Sequence, residues 1–205
     1  MRLLLLGGWI RILADLHGGR SLLAGGLTLV DKLFLCWVLT EVAAYTLLWQ
    51  TTGALVVKLG MMYNAFGLYF FFRHFVRSHE DVERLVRALA VACVLIGALM
   101  TTEQLTGRNL MSVFGLPELA QMRGGRIRSQ ASFATPITAG TLGAVLLPLF
   151  LGLVWALGSS KRYAILGAAG ATAMAMTSAS STPVFTYFAA TAALFFWPLR
   201  HYTRQ

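Results

Sequence analysis

Charged side chains are scarce in this chain. Asp, Glu, Lys and Arg together make up 12% of its 205 residues, against about 25% in an ordinary soluble domain. That shortfall excludes a soluble enzyme, a disordered tail and a nucleic-acid module of the usual kind. Cysteine is nearly absent, at two residues, and only four histidines occur. Cys36 and Cys93 each lie in an apolar run and read as small packing residues rather than a disulfide. No Cys/His spacing resembles a metal site. What replaces charge is apolar surface: 57% of the residues are hydrophobic and the mean hydropathy is +0.68. These values describe an all-α, polytopic membrane protein.

A membrane-crossing helix needs about 20 mostly apolar residues. Six stretches qualify or nearly qualify: Leu27–Trp49, Ala54–Phe72, Arg87–Leu105, Pro136–Leu157, Tyr163–Thr177 and Pro183–Leu199. The fifth is short. Between the fifth and sixth, Ser178 to Pro183 marks a helix break, with Thr182 suited to the N-cap and Pro183 to the first helical position. Residues 1–26 admit two readings, an amphipathic segment lying on the membrane surface or a truncated seventh span. The first is preferred, giving an N-terminal interfacial segment (1–26) and a transmembrane helical domain (27–205).

Lysine and arginine sort by side. The formal net charge is +9, and the connections that share a face with both termini carry twelve basic residues. The opposite face carries four. By the positive-inside rule the richer face, and with it both termini, is cytoplasmic. All four outward cations fall in one loop, 107–132, which holds Arg108, Arg123, Arg126 and Arg128 and a single acid, Glu118. Every cation there is arginine, whose planar fork of donors suits phosphate and carboxylate. Arg123-Gly124-Gly125-Arg126-Ile127-Arg128 packs three of them into six residues, and the two glycines allow backbone amides to approach an anion closely. One reading is a site for an anionic ligand such as a lipid phosphate or pyrophosphate. The other pairs these arginines with lipid headgroups or with Glu103 and Glu118. Glu103, at the outer end of the third span, could orient an arginine or act as a base, and the orienting role is favoured.

Within the spans, Glu41 and Lys58 suit an ion pair, with outward snorkelling of Lys58 the alternative. His17, His74, His79 and His201 all fall on the expected cytoplasmic side, away from the arginine loop. Ser78 with Glu80, Asp81 and Glu83 begins a helix. Small residues from Gly167 to Ala175, with Gly140 and Gly143, read as close helix packing. Ser178, Ser180 and Ser181 carry no nucleophile motif and read as a polar turn lining the same vestibule as the arginines.

The stretch Arg126-Ile-Arg-Ser-Gln-Ala-Ser-Phe-Ala-Thr-Pro-Ile-Thr-Ala-Gly-Thr-Leu-Gly-Ala, running on to Leu146-Leu-Pro-Leu, resembles the core of bacterial O-antigen ligase and polymerase membrane proteins. Thr106-Gly-Arg-Asn109 and Ser178-Ala-Ser-Ser-Thr-Pro183 are similar to further segments of that superfamily, and the resemblance runs from about Leu33 to Arg200. It implies transfer of an undecaprenyl-pyrophosphate-linked glycan at the periplasmic face of the bacterial inner membrane, with no nucleotide, cofactor or metal. It also implies that outward arginines bind the donor pyrophosphate and stabilise the leaving group. Arg126 and Arg128 match the family arginine most closely, with Arg123 and Arg108 beside them and Glu103 as the orienting acid. Family members have ten or more spans and a functional outward histidine. This chain has six candidate spans and no such histidine, and Ala179-Ser180 stands where relatives often carry arginine.

The expectation is therefore an O-antigen ligase/polymerase-like integral membrane protein of about six spans, partial or non-autonomous, that is not active alone. Its partners would be a lipid-linked glycan, membrane lipids and a subunit supplying a C-terminal half, with no nucleic acid. The alternative is a non-catalytic membrane subunit that binds anionic lipid or assists polysaccharide assembly or export. A small transporter is a weaker third reading, because only Glu41 and Lys58 are charged residues set well inside the membrane rather than near a span end.

Overall fold

The computed structural model describes residues 2–19, 21–23, 26–156 and 161–196. The protein is all-helical, with seven α-helices among these residues. They are α1 (Arg2–His17), α2 (Leu29–Trp49), α3 (Thr52–Phe75), α4 (His79–Thr106), α5 (Pro136–Ala156), α6 (Lys161–Thr177) and α7 (Ser181–Phe196). Four of them, α2 to α5, are long and apolar enough to cross a membrane. Helix α7 is a shorter apolar helix. At 1.5 Å per residue, α6 and α7 reach about 24–26 Å, just under the roughly 30 Å of a hydrocarbon core. The end of the expected fourth span, Leu157, and of the sixth, from residue 197 on, lie outside the described residues.

The chain divides into two compact units, Met1–Val82 and Glu83–Gln205. In the first, α2 and α3 form an antiparallel pair joined by a turn at Gln50, which takes a left-handed conformation. Thr28 and Asp31 cap α2 reciprocally: the Thr28 hydroxyl accepts from the Asp31 amide, and the Asp31 carboxylate accepts from the Thr28 amide at 2.7 Å. That buried carboxylate also accepts from the Tyr69 hydroxyl at 2.5 Å and from Arg73 at 3.0 Å. Phe34 stacks on Tyr69 one turn along. Farther along the pair, Lys58 donates to Glu41 and lies over the Tyr45 ring.

Helix α1 packs on α3. Leu5 and Ile12 are buried, Leu5 lies against Gly67, and Trp9 meets Phe71 edge-on. Leu6, Ile10 and Leu13 on the same helix remain largely exposed. Buried His74 sits between the Leu22 carbonyl, 2.8 Å from Nδ1, and the Asp15 carboxylate, 3.1 Å from Nε2.

In the second unit α5, α6 and α7 pack together, and small residues set the spacing. A Cβ at Gly143 would lie 2.5 Å from the Ala171 carbonyl oxygen, and one at Gly170 would lie 2.6 Å from the Cys93 backbone. Phe150 fills the space above Gly167 and is fully buried. Such close backbone approach is how apolar helices gain contact when lipid is as apolar as they are. The helix begun by Ser78 is continuous with the third span: α4 runs from His79 to Thr106 without a break at Arg87. Helix α7 begins at Ser181, two residues before Pro183.

Candidate anion-binding site

The connection between α4 and α5 is a folded arm. Its two three-residue strands, β1 (Gln121–Arg123) and β2 (Arg126–Arg128), form an antiparallel hairpin that pairs Gln121 with Arg128, Met122 with Ile127 and Arg123 with Arg126. Gly124 and Gly125 make the two-residue turn, with φ of 58° and 72°. Two positive φ values are what a type I′ hairpin turn requires, and glycine reaches them without strain. Because side chains alternate along a strand and paired residues share a face, Arg123, Arg126 and Arg128 all fall on one face of the hairpin. Like charges set directly opposite one another repel. Among the described residues none of these three guanidinium groups has a carboxylate at ion-pair distance.

The hairpin is anchored from below. Glu103, fully buried near the end of α4, accepts from the Gln130 and Ala131 amides through Oε2, at 3.1 and 2.7 Å. Ala131 is held there with φ of 47°. The Ser129 amide donates to the Thr177 carbonyl at the end of α6, and its hydroxyl donates to Gln104 at 3.2 Å. Buried Asn109 donates to the Ala131 carbonyl at 2.9 Å. The orienting role expected of Glu103 thus falls on the backbone just past Arg128, not on a guanidinium group. A carboxylate placed beneath the loop finds amides closer than any arginine.

Arg128 is the buried member of the three arginines. Its Nη2 donates to Ser180 Oγ, and its buried Nε has no partner. Ser180 in turn donates to the Ser178 carbonyl at 3.0 Å, in a turn where Ala179 takes φ of 45°. This turn delivers Ser181 and Thr182 as the first residues of α7. The unpaired amides of a helix N-terminus carry partial positive charge.

These parts meet at a cleft of about 1240 Å³. Arg123, Arg126 and Arg128 line one side, and Ser180, Ser181 and Thr182 line another. The remaining wall is apolar, built from Ile137, Met176 and the α7 residues Val184, Phe185 and Phe188. Spacing of one and four residues places the last three on one helix face. The cleft therefore joins a cationic, hydroxyl-rich end to a hydrocarbon-like floor. An amphiphile with an anionic head fits that chemistry.

The structure brings three of the four expected arginines together. Arg108 is not among the lining residues; its backbone bridges Leu119 at the base of the arm. Of the serines in the α6–α7 turn, Ser180 and Ser181 share the arginine vestibule, whereas Ser178 is fully buried, donates to the Ala175 carbonyl and does not line it. Gln104, a lining residue, and the anchor Ser129 carried no signal that singled them out. Comparison of the chain with family models, curated proteins and solved structures finds no match.

Proposed function

We propose that this chain is a polytopic membrane protein of about six crossings, with both termini in the cytoplasm, whose arginine hairpin holds the phosphate end of a lipid-linked glycan. The proposal follows the resemblance to O-antigen ligase and polymerase proteins of the bacterial inner membrane, which use undecaprenyl-pyrophosphate donors. One observation carries it: three arginines share a hairpin face, repel one another, and open onto a cleft whose other wall is apolar. A pyrophosphate relieves that repulsion, and the prenyl chain covers the wall formed by Phe185 and Phe188. Arg128 adds a guanidinium group whose position is fixed by its bond to Ser180 where the two walls of the cleft meet.

In a transfer reaction these guanidinium groups stabilise the charge that develops on the departing pyrophosphate. The composition of the lining also favours a second reading, a binding subunit without transfer activity of its own. The cleft presents cations, hydroxyls, one amide and apolar groups, which suit retention of a donor more than activation of an acceptor.

Reconstituted in nanodiscs, the protein is expected to bind an undecaprenyl-pyrophosphate glycan. Arg126→Ala and Arg128→Ala each weaken that binding by about tenfold or more, the range for a lost charge-assisted hydrogen bond. Unchanged binding in both variants overturns the proposal. Release of undecaprenyl pyrophosphate on adding an acceptor separates transfer from retention.

A further inference from the structure

The arm carries a second surface that the arginine cleft does not use. Between Arg108 and the hairpin, the chain makes a closed lobe. Asn109 N donates to Glu118 O at 2.8 Å, and Ala120 N donates to Gly107 O at 3.0 Å, so the lobe's two ends are pinned together. Its tip is a 3-10 turn, Leu110–Phe114, capped by Asn109, whose side-chain oxygen accepts from the Met111 amide at 2.9 Å. A firmly based lobe of this kind would ordinarily show polar side chains to water. Here Leu110, Val113, Phe114, Leu119 and Met122 stand 54% to 85% exposed. Several large apolar side chains left exposed within one short arm mark a contact surface.

We propose that this lobe is a membrane-interface wedge, its apolar tip inserted among the headgroups of an anionic leaflet. Two features of the arm select lipid over another occupant. The arm is tethered at both ends by α4 and α5, two of the helices apolar and long enough to cross a membrane, so its height is fixed at the bilayer surface. Arg108, at the base of the lobe, is exposed, and exposed Arg123 and Arg126 follow in the same arm although they also line the cleft, against Glu118 as the acid of the segment. Exposed apolar groups in a segment of net positive charge are the composition of segments that lie in an anionic interface. The wedge would hold the hairpin level with the headgroups, where a membrane-borne ligand presents its phosphate. This inference rests on the membrane reading given above, though not on the identity of the ligand.

Nitroxide labels at Val113→Cys and Phe114→Cys, in a chain with Cys36 and Cys93 replaced, test it in phosphatidylcholine vesicles with and without phosphatidylglycerol. A third label at Leu95→Cys, on the exposed face of α4, reports whether that helix sits in hydrocarbon. The expected result is oxygen accessibility exceeding nickel-chelate accessibility at 113 and 114, more so with phosphatidylglycerol. Water-like nickel accessibility at both positions, with Leu95→Cys in hydrocarbon, overturns the wedge and leaves the membrane reading standing. Labels shielded from both probes indicate a protein partner and also overturn it. A water-exposed label at position 95 removes the membrane reading, and the wedge with it.

Discussion

Arg128 donates to Ser180 Oγ and so ties strand β2 to the turn that starts α7. The bond joins two segments separated by 52 positions, and it fixes the guanidinium group at the boundary between the cationic and apolar walls of the cleft. Substituting each partner separates its two roles. Ser180→Ala leaves the charge in place but loosens it, and affinity for a prenyl pyrophosphate should fall only a fewfold. Arg128→Ala removes the charge-assisted contact itself, a loss of about 10- to 100-fold. Arg128→Lys should resemble the alanine variant more than the native protein, because an ammonium cannot make the forked contact. Titration of the three variants in nanodiscs checks the order.

Glu103 supports the site without lining it. Glu103→Ala strands the amides of Gln130 and Ala131, each at a cost of about 1–3 kcal/mol. Thermal unfolding in detergent should show a clear drop for the alanine variant and a smaller one for Glu103→Gln, which keeps an acceptor. Equal melting of the native and alanine forms would mean that the amides find water instead.

Close helix packing makes its own forecast. Gly143→Ala drives a methyl group into the Ala171 carbonyl, and overpacking of this kind costs about 1–3 kcal/mol. Gly53→Ala, on α3, meets nothing within 4 Å and should be neutral or slightly stabilising, since alanine favours a helix by about 0.5–1 kcal/mol over glycine. The same melting series distinguishes them.

Asp31 is buried and accepts from Thr28, Tyr69 and Arg73, whereas the Glu41 partner of Lys58 is 41% exposed. Asp31→Ala should therefore lower the melting temperature more than Lys58→Ala does. Tyr69→Phe should fall between Asp31→Ala and the native protein. A reversed order would place the first unit's main polar anchor at the Glu41–Lys58 pair.

The helices were legible because their signal is local. Runs such as Leu29–Trp49 are mostly apolar, and Ser78 announced the start of α4. The join between that start and the third span was not visible, because charged Glu83, Arg84 and Arg87 look like a loop until they are seen on a continuous helix. The hairpin had a local signature too, a glycine pair between two short runs, but three-residue strands without a β-branched majority give periodicity too little length. Thr28-x-x-Asp31 before an apolar run is a capping box that composition alone passes over. The contacts of Glu103 with Gln130 and Ala131, and of Arg128 with Ser180, depend on how distant segments fold back. No spacing rule encodes them.

As a phosphate clamp beside an apolar wall, the hairpin arginines should distinguish a charged head from a neutral one. Comparing farnesyl pyrophosphate with farnesol on the nanodisc-held protein tests this most directly, because the two ligands share a tail and differ in the charged head. The native protein should prefer the pyrophosphate by about tenfold or more, as charged hydrogen bonds of this class allow. Combined Arg123→Ala, Arg126→Ala and Arg128→Ala should erase that preference while leaving farnesol binding intact. A triple variant that still prefers the pyrophosphate would contradict the account.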